Sequence, residues 1–482
     1  MTTPQRRENG PRISTVTAAA ETIPRGPYAA RVSTSVSQQR DILRLAVPAF
    51  LALVAEPLFL LADSAIVGHL GLAPLAGLGV ASAALVTAAN LFVFLAYGTT
   101  SVVARQLGAG SERAAVGAGV DGLWLALALG VPTAALVAVC AAPICGLFGA
   151  SPDALAQAVT YLRISAAGIP AMLVVLAVTG VLRGLQDTRT PLLASVIGFG
   201  ANIALNLVLV YGLGLGIAGS ALGTVLAQTG MAAALVAVVT RRARALDASL
   251  RPHPGRVLGA ATDGLPLLVR TVALRAVFVV TTWVAAGLGD VPVAAYQVSV
   301  TVWSFLAFAL DALAIAGQAL TGRALGAGDV TSARSATRTM TWWGVLGGAV
   351  LGAVVLALHQ LLPPLFTPDP AVQQALAAAL VVVALSQPLS GLVFVLDGVL
   401  IGAGDGRWLA GAQLAVLVVY LPLVLWVRAS QTALLAASDT AVTQAHAVTV
   451  LWWAVVAFML LRGLALGWRA RGDAWLVTGA AR

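Results

Sequence analysis

The stretch Arg105-Gln-Leu-Gly-Ala-Gly110 returns 218 residues later as Arg323-Ala-Leu-Gly-Ala-Gly328. The same offset carries Pro48 to Pro266, Gly71 to Gly289, Pro74 to Pro292, Phe148 to Phe366, Pro152 to Pro370 and Pro170 to Pro388. Gly180-Val-Leu-Arg-Gly184 falls on Gly398-Val-Leu-Ile-Gly402, and Asp187 and Arg189 fall on Asp405 and Arg407. No gap is needed, so the chain is a tandem duplication. The shared positions are mostly Gly, Pro and loop Arg, residue types that set backbone geometry and topology.

Each copy is made of long apolar runs. The 482 residues are 59% hydrophobic and 10% charged, with mean hydropathy +0.93, whereas a water-soluble domain is about 25% charged. This composition indicates an all-α polytopic membrane protein in a lipid bilayer. Spans are expected at 45–67, 75–98, 118–142, 158–181, 191–211, 217–240, 262–286, 293–318, 340–362, 375–401, 409–428 and 446–466. They form two six-helix lobes, 45–240 and 262–466, joined by a cytoplasmic linker at 241–261 and flanked by tails at 1–44 and 467–482. An even number of spans per copy makes the lobes run the same way, related by an axis along the membrane normal, with substrate handled between them.

All 28 basic residues are arginine. They gather in the N-terminal segment, at Arg105–Arg113, Arg183–Arg189, Arg241–Arg256 and Arg323–Arg338, at Arg407, and from Arg462 onward. Alternate loops are nearly free of arginine, with Arg428 the exception. The positive-inside bias places the basic loops and both termini in the cytoplasm, and the protein is expected in the plasma membrane (cell inner membrane). The net charge of +9 is thereby assigned to orientation, not to binding nucleic acid. Residues 1–44 lack the apolar core of a secretory signal and read as a mobile tail.

Ionisable groups inside the spans need another explanation, because each costs at least about 2.5–3.5 kcal/mol at membrane depth. Glu56-Pro-Leu-Phe-Leu-Leu-Ala-Asp63 places two carboxylates about two turns apart on one helix face. The offset maps them to Leu274 and Thr281, so they lie outside the shared architecture. Asn202 and Asn206 share one face of the fifth span and map to Tyr420 and Val424. In the second lobe, Asp311 and Asp397 map back to Val93 and Thr179, while Arg270 and Arg275 interrupt the seventh span. Pairing of either arginine with either aspartate would account for those four groups.

For Asp63 the main cation within its own lobe is Arg163. A carboxylate left without a cation in low dielectric can hold a proton near neutral pH. The amides of Asn202 and Asn206 can donate to its ionised form or accept from its protonated form. Asp63, Glu56, Asn202 and Asn206 are therefore the expected proton-coupling residues, with Glu56 suited to a relay and Pro57 to a bend. Asp311, Asp397, Arg270 and Arg275 are the expected cavity or ion-pair residues.

Gly214-Leu-Gly-Ile-Ala-Gly219 fits the dinucleotide glycine pattern, but it lies between spans with no acid about 20 residues on and reads as a tight reversal. Phosphate-binding lysine loops, paired-histidine zinc helices and nucleophile elbows are absent from the sequence, so neither an enzyme, a cofactor nor a metal is expected. Without an ATPase motif, an ion gradient must drive any transport.

Taken together, Leu61-Ala-Asp-Ser-Ala-Ile-Val-Gly-His-Leu-Gly71, Arg105-Gln-Leu-Gly-Ala-Gly110, Asn202-Ile-Ala-Leu-Asn206, Ala309-Leu-Asp311 and Leu396-Asp-Gly398 resemble the multidrug and toxic compound extrusion (MATE) family, particularly its DinF-like branch. The resemblance spans about residues 40–465. It implies a V-shaped, bilobed monomer that opens alternately to either side and exports small organic cations in exchange for protons or sodium. The family's helix 1 aspartate falls on Asp63, and its first helix 5 asparagine on Asn202. Some relatives carry a second aspartate where this chain has Asn206, and others a helix 7 glutamate near the place of Arg275. Both departures favour H+ over Na+. The alternatives are a sodium-coupled drug antiporter and a lipid-linked or polysaccharide precursor flippase of the same superfamily. Anionic headgroups would want inward-facing arginines, for which Arg163, Arg270 and Arg275 are the candidates.

Overall fold

Each apolar run folds into a helix, and most of the helices outrun the hydrocarbon they must cross. The computed structural model describes residues 35–438 and 440–480, apart from the side chains of residues 35–38 and of Glu56. The first lobe comprises α1 (Ser35–Gly68), α2 (Leu72–Gly108), α3 (Glu112–Val139), α4 (the pair Pro152–Ala166 and Ile169–Gly184), α5 (Arg189–Gly212) and α6 (Gly216–Ala245). The second comprises α7 (Pro254–Gly287), α8 (Asp290–Gly326), α9 (Val330–Leu358), α10 (Pro370–Gly402), α11 (Gly406–Ala437) and α12 (Ala441–Arg471). With the bent α4 pair counted as one span, the described residues hold twelve spans and no strand. α4 bends by 54° beside Pro170, whereas the equivalent Pro388 lies within an unbroken α10.

Three expected boundaries are corrected. α1 starts at Ser35, inside the stretch read as a tail, because Ile42, Leu45 and Ala46 bury apolar side chains there; residues 1–34 lie outside the described residues. The linker contracts to 246–253 and is not simply solvated. Arg113 donates to the Asp247 carbonyl at 2.6 Å and Trp124 donates to that of Leu250 at 3.0 Å. Asp121, only 4% exposed on α3, takes Arg256 at 3.2 Å and stands 3.9 Å from His253. The segment after α12 also packs: Trp475 is buried and donates to the Ala470 carbonyl at 3.1 Å, and the Gly479 N–H donates to Leu325 at 3.0 Å.

The duplication is visible in the backbone. Gly71 and Gly289 have φ of 123° and 117°, and Gly110 and Gly328 have 86° and 74°, a region that side-chain-bearing residues avoid. Gly214 and Gly216 likewise have φ of 65° and 56° in the α5–α6 reversal. Where the lobes meet, the two copies of the Leu-Gly-Ala-Gly motif face each other. A Cβ on Gly108 would overlap the Arg323 carbonyl, and one on Gly326 would overlap the Arg105 carbonyl. This reciprocity is what a pseudo-two-fold contact requires.

Further contacts close the same seam. Ser101 donates to the Gly402 carbonyl at 3.1 Å, and Arg105 to those of Ala403 at 2.9 Å and Val477 at 2.6 Å. Arg323 donates to the Gln186 side-chain oxygen. Leu45, Ala46 and Ala49 of α1 pack on Ala312, Ile315, Ala316 and Ala319 of α8; α7 answers with Gly264 against Phe94 of α2. These contacts occupy the arginine-rich half of the bundle. Arg428, the exception in charge distribution, lies 3.7 Å over the Trp283 ring, a cation–π contact that gives it a local role.

Gly326→Val should force the backbones apart at this seam. Spin labels at Ala114 and Thr331, exposed on the two sides of it, are expected to report a longer separation than in the wild type. An unchanged distance would show that close backbone approach does not hold the lobes together.

Candidate functional site

Four helices of the first lobe converge on Asp63, which is 3% exposed. Asn206 of α5 donates to its Oδ1 at 2.8 Å, Ser220 of α6 donates to the same oxygen at 2.7 Å, and Tyr161 of α4 donates to Oδ2 at 3.4 Å. Asn206 Nδ2 also donates to Asn202 Oδ1 at 3.0 Å, and Asn202 Nδ2 donates to Thr224 at 3.1 Å. The i,i+4 pairs Asn202/Asn206 and Ser220/Thr224 each form a one-turn polar stripe. Gly223 lets the stripes approach, since a Cβ there would overlap Asn206 Oδ1.

A π turn, Leu207–Gly212, follows Asn206 directly, and such turns recur at functional sites. Its Tyr211 hydroxyl donates to the Ile66 carbonyl at 2.5 Å, so α1 is tied to α5 on both sides of one helical turn. No cation lies within ion-pair distance of Asp63 among the described residues, and Arg163 is exposed. At the equivalent place in the second lobe, Thr281 and Tyr420 share a hydrogen bond of 2.6 Å.

Of the residues expected here, Asp63, Asn202 and Asn206 come together; Tyr161, Ser220 and Thr224 join them without having been singled out from sequence, and the Glu56 side chain lies outside the described residues. The available signal was the i,i+4 hydroxyl pair on α6. It is weak, because helical hydroxyls often bond their own backbone, as Thr281 does to Val277 at 2.7 Å and Thr271 to Leu267 at 2.8 Å.

In the second lobe, Asp397 of α10 is shared by two guanidiniums. Arg270 of α7 forms a fork on it, Nε to Oδ1 at 3.1 Å and a terminal nitrogen to Oδ2, the strong geometry for this pair. Arg462 of α12 lies 3.4 Å from Oδ1. All three side chains are buried. The wider set of expected pairs is corrected: Asp311 makes no ion pair among the described residues, and neither does Arg275, which is exposed. Asp311 is half-buried. Arg462, read from sequence as the start of a basic tail, is instead part of this centre.

The MatE family model matches residues 48–208 and again 266–426. The chain belongs to the multidrug and toxic compound extrusion (MATE) family. The two matches begin and end at positions related by the offset of the internal repeat. MATE proteins are multidrug and toxin efflux transporters, not enzymes. Protein DETOXIFICATION 44, chloroplastic, of Arabidopsis thaliana is 32% identical over 89% of this chain and 81% of the relative. DNA damage-inducible protein F of Escherichia coli strain K12 is 30% identical over 91% and 94%. The crystal structure of the Vibrio cholerae MATE transporter VcmN in the bent form shares the fold with TM-score 0.78 and 22% identity, over 91% of this chain and 99% of that one. An outward-facing multidrug resistance MATE transporter of the MOP superfamily gives TM-score 0.77 at 22% identity, over 90% and 95%.

Removing the Asp397 charge should strand two buried guanidiniums. Breaking a buried ion pair typically costs about 3–5 kcal/mol, so Asp397→Asn is expected to lower both the yield and the melting temperature of this MATE transporter in detergent. Asp311→Asn breaks no ion pair and should melt near the wild type. A wild-type melting temperature for Asp397→Asn combined with lost transport would make Asp397 a direct ligand.

Proposed function

We propose that this MATE transporter acts as a monomer in the plasma membrane, exporting small organic molecules in exchange for protons by alternating access, with Asp63 carrying the coupling proton. The carrying observation is a buried carboxylate held by an amide and two hydroxyls and, among the described residues, by no cation. Those groups suit both charge states. As donors they stabilise the ionised form; on protonation the Ser220 and Tyr161 hydroxyls can turn to accept. Asn206 Oδ1, buried with no hydrogen-bond partner, adds an acceptor beside them.

A sodium site would instead need several oxygens converging on the ion. Around Asp63 the neighbours present N–H and O–H groups, and Asn206 turns its nitrogen toward the carboxylate. This supports the proton over sodium. Asn202 and Asn206 are assigned to setting the proton affinity of Asp63, and Glu56, two turns earlier on α1, to relaying the proton.

Helix α1 supplies the mechanical link. Its Asp63–Ile66 end is bonded to α4, α5 and α6, while its Leu45–Ala49 end packs on α8 of the other lobe. Pro57 lies between the anchored ends, in a helix that runs unbroken through it. Loss or gain of the Asp63 proton therefore acts on an element that touches both lobes. With the arginine-rich end in the cytoplasm, the closed seam is cytoplasmic, which corresponds to an outward-facing state. One charge crossing the full membrane is worth about 2.3 kcal/mol per 100 mV, so a single proton is a useful drive.

In proteoliposomes, Asp63→Asn should keep the wild-type melting temperature and lose efflux driven by a pH gradient. Glu56→Gln is expected to be milder. Full proton-driven efflux by Asp63→Asn would eliminate this role for Asp63, and sodium-driven efflux by the wild type at equal pH would replace the coupling ion.

A further inference from the structure

The repeat matches the two arginines at the seam, Arg105 and Arg323, but not their acceptors. Arg323 of the second lobe donates to the side-chain oxygen of Gln186 in the first. For Arg105 the 218-residue offset puts Gly404 at the place of Gln186, with no side chain to offer. The backbone there is the same, since Gln186 and Gly404 have φ of 62° and 73°. In place of a glutamine, Arg105 receives the Val477 carbonyl at 2.6 Å, from the segment after α12. Arg105 is only 2% exposed, so while the seam is closed water cannot readily replace that acceptor.

The same segment is fastened to the second lobe. The Trp475 indole is buried and bonded to the Ala470 carbonyl at the end of α12, and Asp473 pairs at the surface with Arg334 of α9. The Gly479 N–H donates to the Leu325 carbonyl at 3.0 Å, one residue before Gly326. On the first lobe, Gln106 adds a bond to the Ala480 carbonyl at 3.4 Å. The segment is therefore bonded on both sides of the contact between Gly108 and Gly326. Two residues of chain, from Val477 to Gly479, reach at most about 7 Å. Lobes that part beyond that reach must break one of these bonds.

We infer that residues 472–480 are a latch: they hold the arginine-rich seam closed and must let go of Arg105 when it opens. The inference needs lobes that part, as in the export reading, but no proton at Asp63. Release from the first lobe is the easier route. The buried indole keeps the segment on the second lobe, whereas Arg105 and Gln106 turn to water once the seam is open. A hydrogen bond to a charged group shifts an equilibrium by about tenfold to a hundredfold. That is enough to bias the seam toward closure and little enough to be undone in each cycle. Glycine at 404 thus makes one of the two arginine contacts detachable, while the other stays built into the lobes.

The test measures how often the seam opens. Ser101 is buried and donates across the seam to Gly402, so Ser101→Cys should react with a maleimide only when the lobes part. The rate is read in the full chain with the native Cys140 and Cys145 replaced by alanine. Removing residues 472–482 should speed labelling about tenfold or more. Gly479→Pro keeps the buried Trp475 but deletes the N–H given to Leu325 and forbids the φ of 107° found there. It should speed labelling about threefold or more at an unchanged melting temperature, and it decides the matter if the shortened chain melts early. Gly404→Gln in the shortened chain gives Arg105 the acceptor that Arg323 already has, and should slow labelling again. A faster rate on shortening in the Asp63→Asn background as well would support the latch even if the proton reading fails. A wild-type labelling rate in Gly479→Pro, or in a shortened chain that melts normally, would overturn the latch. So would fast labelling that Gly404→Gln leaves unchanged, since a segment that only covers Ser101 would behave that way.

Discussion

Hydrocarbon offers nothing to a charge, so every ionisable side chain within the spans depends on partners supplied by the protein. The three buried aspartates that lie within spans meet that constraint differently. Asp121 is satisfied by Arg256 and His253, which tie the interlobe linker to α3. Asp397 is satisfied by two guanidiniums and joins α7, α10 and α12. Asp63, among the described residues, is held by neutral donors alone. Protonating either of the first two would break an ion pair and leave a buried cation behind. Protonating Asp63 breaks no ion pair, only weakens hydrogen bonds from neutral donors, which is why we assign the coupling proton to it.

The seam between the lobes shows a different kind of dependence. Gly108 and Gly326 touch each other's repeat through backbone atoms, with no side chain to adjust. Such a contact is either closed or open, because packed surfaces are bistable and not continuously deformable. The guanidinium of Arg105 reaches across it to carbonyls of Ala403 and Val477, so the segment after α12 is part of the closed arrangement. α1 crosses from the Asp63 network to the same half of the other lobe. In the proposed mechanism, a local change of charge at one end of α1 would thus meet the seam near its other end.

What the sequence made legible is what the duplication and helix geometry encode. The offset identified the lobes and separated shared glycines from unshared acids, and the spacing of Asn202 and Asn206 placed both amides on the face that meets Asp63. Other parts were hidden for physical reasons. Tyr161, Ser220 and Thr224 are common residue types in apolar helices, and only tertiary packing aims them at a carboxylate. The partners of Asp121 and Arg462 are far away in sequence, so nothing local marks either residue. Arg270 and Arg275 could not be ranked from sequence, yet five residues are about 140° around a helix, so they point to different faces and only one could reach Asp397.

The two lobes show what duplication permits in a membrane. Their glycine turns, helix lengths and seam contacts are shared, so the scaffold stands whatever fills its interior. Where the first lobe has Asp63 and Asn202, the second has Thr281 and Tyr420 in a neutral hydrogen bond, which cannot take up charge. Where the second has Asp397 beneath Arg270 and Arg462, the first has Thr179 at the position matching Asp397. Among the described residues, an acid without an ion-pair partner lies in one lobe and two guanidiniums share one carboxylate in the other. Placing both in one lobe would let them pair and fall silent as a salt bridge. Separated between lobes, the carboxylate and the guanidiniums do not pair, and α1 joins the lobes that hold them.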